Sequence, residues 1–111
     1  MSVSLIISNP INDKERNFNL PISTERVFRD HWMPIVTELD LKWVRCFQSG
    51  IELEKEDIGL VLKDLEKMHH WITTYKDNER GEQMIERLKS LNETLIEILN
   101  NSRKDMKVYI G

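Results

Sequence analysis

Two neighbouring stretches of this sequence carry apolar residues at helical spacing. Between residues 54 and 75, Ile58, Val61, Leu62, Leu65, Met68 and Ile72 follow one another at intervals of 3, 1, 3, 3 and 4. Between residues 79 and 101, Met84, Leu88, Leu91, Leu95 and Ile98 follow at intervals of 4, 3, 4 and 3, with Ile85 and Leu99 beside them. Intervals of three and four put such residues on one face of a 3.6-residue helix. Only Tyr75-Lys76-Asp77-Asn78 separates the two stretches. A connection that short turns the second helix back along the first, so the apolar stripes face each other in an antiparallel hairpin. The rest of the chain must pack around that hairpin.

The other elements are shorter. Val3, Leu5 and Ile7 alternate with serines, which predicts a β-strand, closed by the turn signal Asn9-Pro10. Asn12 to Asn19 is polar and reads as a loop. Ser23 or Thr24, with Glu25 behind, is a suitable N-cap for a helix whose apolar face is Val27, Phe28, His31 and Trp32. Pro34 lacks an N–H and should break or kink that helix, and a second piece can start there and run through Ile35, Val36 and Leu39. The run Leu41 to Phe47 is β-branched and aromatic in character and is predicted as a strand, ended by Ser49-Gly50. Lys107 to Ile110 reads as a closing strand. The order is β-α-β-α-α-β, an α/β (α+β) fold in which a small three-stranded sheet packs against the helical hairpin. Residues 1–111 form a single domain, with no linker and no internal repeat.

Charge is the next constraint. With 40% hydrophobic and 32% charged residues, the chain should have a modest core and a heavily charged surface. The net charge is −3, and all of it lies between residues 51 and 70, where Lys55, Lys63 and Lys67 face Glu52, Glu54, Glu56, Asp57, Asp64 and Glu66. A surplus of this sign argues against nucleic-acid binding, which needs clustered Lys and Arg. The lone Cys46 can form no internal disulfide, the N-terminal apolar run is too short for a signal peptide, and no stretch is long enough to span a membrane. The expected location is the cytoplasm.

No residue pattern points to catalysis, a cofactor or a metal. His69 and His70 diverge by about 100° on a helix. Glu66 and His70 share a face but supply only two ligands, where a zinc site needs three or more from protein. His31 reads as a packing histidine beside Trp32, and Cys46 as a structural thiol. Glu52 to Asp57 lacks the glycine and ligand order of a calcium loop. The four glycines, at 50, 59, 81 and 111, are isolated and cradle no phosphate. Gly59, inside a predicted helix, costs about 1 kcal/mol relative to Ala. Glu54, Glu56 and Asp57 either compensate a helix N-terminus or form a patch that steers a basic protein partner. In the second case the partner-binding residues are Glu52, Glu54, Glu56, Asp57 and Asp64, with Trp71 as an aromatic anchor.

The segments Ser23 to Pro34, Leu39 to Trp43 and Gly50 to Ile58, within roughly residues 20–72, give the chain a resemblance to small bacterial immunity proteins. These are cytoplasmic antidotes of polymorphic or contact-dependent growth-inhibition toxins. The resemblance is one of length, acidity and pattern. It implies a stoichiometric inhibitor that blocks a cognate protein toxin, often a basic nuclease; a monomer is the expected state. An alternative is a phage or bacterial regulator that oligomerises or joins a complex through the Met84 to Ile98 seam. A small ligand-binding protein would instead need a pocket with converging polar groups.

Overall fold

In the computed structural model, which describes residues 2–75 and 78–111, the chain runs β1 (Ser2–Ile7), α1 (Asp13–Arg16), β2 (Asn19–Thr24), α2 (Glu25–Val27), a π-helical turn (Phe28–Trp32), α3 (Met33–Leu39), α4 (Lys42–Arg45), β3 (Ile51–Glu54), α5 (Lys55–Tyr75), α6 (Glu79–Asn101) and β4 (Lys107–Ile110). The α+β class is the one predicted. Lys76 and Asp77, in the break expected between the long helices, lie outside the described residues.

The hairpin forms where the spacing places it. Met84, Leu88, Leu91 and Leu95 are essentially inaccessible, Ile98 nearly so, and they share one core with Ile58, Val61, Leu65, Met68 and Ile72. The Asn78 side chain caps α6 by accepting from the Gly81 amide at 2.9 Å. Asp57 does the reverse job at the start of α5: its Oδ2 accepts from the Glu54 amide at 3.0 Å, half of a capping box. Lys55 then donates to the Ser102 carbonyl at 2.8 Å, placing a cation at the negative end of α6.

The described strands form one antiparallel sheet of four, in the order β2-β1-β4-β3. One face is dry: Val3, Leu5, Ile22, Leu53, Val108 and Ile110 are all buried. This face meets the hairpin, with α6 against β2 and α5 against β3. The other face carries Ser2, Ile6, Glu52 and Tyr109 toward solvent. Strand β2 lies at an edge, where the missing N–H of Pro21 costs no ladder bond. Ile22 is an extra residue there, since Val3 pairs with Ser23 and Ser4 with Pro21, and this bulge helps turn Ile22 into the core. At the other end of β1, Asn9 accepts from the Lys107 amide at 2.9 Å and donates to the Asp105 carbonyl at 2.8 Å, while Arg103 bridges it to Glu15.

Three expectations need correction. The sheet has four strands rather than three, because Asn19–Thr24 and Ile51–Glu54 are both strands. The polar stretch before β2 also contains α1, capped by Asn12. The predicted strand Leu41 to Phe47 is instead built around α4. Its buried residues are Leu41, Val44 and Phe47, every third one, so the period is helical and the alternation is incidental. The helix starts after Asp40, which closes α3 in the left-handed conformation at φ 52°. Gly50, at φ 98°, ends the segment. Pro34 acts as expected, at the first turn of α3. It has no N–H for the Asp30 carbonyl, and the preceding turn widens so that the Met33 amide reaches back five residues to the Phe28 carbonyl. That turn buries Phe28 and Trp32, stacked 5.5 Å apart, with Phe47 6.4 Å from Phe28.

Candidate functional site

Strand β3 passes directly into α5, and this junction gathers the acidic residues. Leu53 points into the core, so Glu52 and Glu54 must point out. Glu56 and Asp57 follow within the first turn of α5. Glu52 accepts from the Ser8 hydroxyl at 3.1 Å. Glu54 Oε1 lies 3.9 Å from Lys107 Nζ, the one cation within ion-pair distance of these four carboxylates among the described residues. Asp57 is committed to the Glu54 amide. Glu56 is exposed, and its carboxyl is held above the ordinary value of 4.5, first by a hydrogen bond with the Glu54 carboxyl and then by repulsion from Glu54 and Asp57.

The structure brings together Glu52, Glu54, Glu56 and Asp57. It removes Asp64 from the surface. Asp64 is only 8% exposed, and its Oδ2 accepts from the Trp43 amide at 2.9 Å and the Val44 amide at 3.4 Å. Helix α4 has no cap of its own from Leu41, so a carboxylate in the middle of α5 caps it across the core. Trp71 is also separate from the cluster. It lies fourteen residues beyond Asp57, about 21 Å along the helix at 1.5 Å per residue. It packs on Tyr75 at 5.2 Å between ring centroids, and Tyr75 is 70% exposed. The neighbours Ser8, Lys107 and Tyr109 were missed by sequence reasoning. Lys107 and Tyr109 arrive through pairing of β3 with β4, which sets Glu52 against Tyr109 and Glu54 against Lys107, and Ser8 through the pairing of β1 with β4. Nothing local in the sequence signals that pairing.

The remaining candidates are dispersed. Glu66 and His69 line a groove of about 460 Å³ on the hairpin, between Leu62 and Ile96, while His70 faces solvent. Cys46 is half-buried, with Sγ 3.5 Å from the Lys42 carbonyl. Among the described residues, no three His, Cys, Asp or Glu side chains come together as metal ligands. No described helix is long and apolar enough to cross a membrane. No family model, curated protein or solved structure matches the chain.

Proposed function

We propose that this protein is a non-catalytic inhibitor of the immunity type, which binds a basic toxin domain through the β3–α5 edge. The observation that supports this reading is the crowding of Glu54, Glu56 and Asp57 in about one helical turn, with one weakly placed lysine beside them. Helix-dipole compensation accounts for negative charge at this position. It does not call for two carboxyls close enough to share a proton. Repulsion of this kind is a local cost to the folded state that Lys or Arg side chains of a partner relieve. Charge of one sign on one edge also raises the association rate of a cationic partner. The alternative is assembly through the helical hairpin, and burial of the Met84 to Ile98 seam inside the hairpin favours the acidic edge over it as the contact.

The test is binding to the product of the neighbouring gene, followed at rising salt. Wild-type protein should bind and protect, with an association rate that falls as salt rises. Glu52→Lys with Glu56→Lys, which spares the Asp57 cap, should slow association at least tenfold at low salt. Failure to bind ends this assignment. Binding that ignores both salt and the double substitution leaves the partner in place and refutes the acidic edge as the contact.

A further inference from the structure

The sequence holds seven arginines. Five of them, Arg16, Arg26, Arg29, Arg45 and Arg103, lie within 4.0 Å of a carboxylate. Arg80 and Arg87 are the two with no such partner among the described residues, and both line the same cleft, between α6 and the end of β2. This cleft is at the opposite edge of the sheet from β3, so a ligand bound there is independent of the acidic edge.

The cleft encloses about 480 Å³, within the range of small-ligand sites. Ile22, Trp32 and Met84 close it from beneath, each 1% exposed, and half-buried Val27 is its accessible apolar side chain. Thr24 and Ser90 add hydroxyls at the rim, while the Ser23 hydroxyl donates to the Thr24 carbonyl at 2.7 Å. Each guanidinium is already anchored. Arg87 donates from Nη1 to the Pro21 carbonyl at 3.3 Å, and Arg80 donates from Nη1 to Gln83 Oε1 at 3.1 Å. A guanidinium carries five N–H donors, so each keeps most of its donors for a ligand. An anchored side chain also loses less entropy when the ligand arrives. The one carboxylate at the rim is Glu86, which leaves the lining a net positive charge.

The geometry points to a binding site for a phosphate monoester carried on a small apolar or aromatic group. Such a phosphate offers three strong acceptor oxygens, enough for both guanidinium groups, and its negative charge is opposite in sign to the lining's. The apolar body would lie against Val27 and the aliphatic stems of the two arginines. A carboxylate on the same body has two acceptor oxygens, enough for one forked guanidinium, and should bind more weakly.

The probe is phenyl phosphate, titrated into the full chain at constant ionic strength and followed by amide NMR shifts. Saturable shifts at Ser23, Thr24, Gln83 and Ser90 are expected, with benzoate and inorganic phosphate each binding more weakly. Arg80→Gln and Arg87→Gln should each weaken phenyl phosphate about tenfold, the worth of one charge-assisted hydrogen bond. Arg26→Gln, outside the cleft, should leave binding unchanged. Arg87→Lys keeps the charge but loses the forked donor set, so binding that survives in Arg87→Lys and falls in Arg87→Gln supports the site even where the glutamine variant is less stable. Absence of saturable shifts, or shifts unchanged in both glutamine variants, overturns the proposal.

Discussion

Asp64 gives the sharpest test of how this fold is held. Its carboxylate accepts from two amides at the start of α4, one of which, Val44, belongs to a fully buried residue. Asp64→Ala leaves both donors without their acceptor, the Val44 amide in the buried interior and the Trp43 amide part-buried. The 2.9 Å contact is a full charge-assisted bond, worth about 1.5–3 kcal/mol net, while the 3.4 Å contact is near the limit of hydrogen bonding and adds little. The expected loss is about 2–3 kcal/mol, out of a total stability of about 5–15 kcal/mol for a domain of this size. Urea unfolding should show a lower midpoint with an unchanged slope, and thermal unfolding a Tm lower by roughly 10 °C. Asp64→Asn keeps an acceptor oxygen and should cost about half as much. Glu66→Ala, two residues along on the exposed side of α5, is the control and should stay within about 0.5 kcal/mol of wild type. If Asp64→Ala is no worse than Glu66→Ala, the cap contributes nothing and α4 is held in place by other contacts.

Three further outcomes rest on particular residues. Gly59→Ala should stabilise the protein by about 0.5–1 kcal/mol in urea melts, because a Cβ at that helical position meets nothing within 4 Å. Gly50→Ala should destabilise by more than about 2 kcal/mol, since its Cβ would fall 1.9 Å from Tyr109 Oη at a backbone φ of 98°; Tyr109→Ala should recover the steric part and leave the backbone part. Glu56, whose folded-state carboxyl sits above its ordinary 4.5, binds its proton more tightly folded than unfolded, so it favours folding in acid and loses that contribution as pH rises through the folded value. Glu56→Gln should therefore gain stability relative to wild type as pH rises toward neutral, and a gain that shrinks with rising pH would contradict the carboxyl crowding.

The long helices were legible because each has several turns of consistent spacing. Strands β1 and β4 were legible for the same reason at period two. Leu41 to Phe47 was not, because seven residues with apolar groups at 41, 43, 44 and 47 satisfy both periods. The deciding contact comes from Asp64, twenty positions downstream of Val44. Strand β2 was hidden by Pro21, which argues against a strand even though Phe18, Leu20 and Ile22 alternate. The acidic residues of the site were visible as a charge count, but a charge count has no direction. It could not separate Glu52, which points out of a strand, from Asp64, which points into the core. The cleft between Arg80 and Arg87 left no trace in the sequence, since α6 meets β2 only through tertiary packing.

The strand order has a consequence for how the protein is made. The two inner strands of the sheet are β1 and β4, and their pairing joins Leu5 to Ile110, while Ser4 and Gly111 exchange backbone hydrogen bonds at 3.3 and 3.1 Å. Until residues 107–110 emerge from the ribosome, β3 has no partner and the nascent sheet is only β1 with β2. The helical hairpin can form early, from local contacts, but the apolar face it should cover is unfinished. Closing a loop of about 100 residues rather than about 10 costs roughly 2 kcal/mol more in chain entropy, and contacts so distant in sequence slow folding. A circular permutant that links residues 111 and 2 and opens at the exposed Gln48–Ser49 turn would make this pairing local. Such a chain should fold faster than the natural order with the same four-stranded sheet at the end.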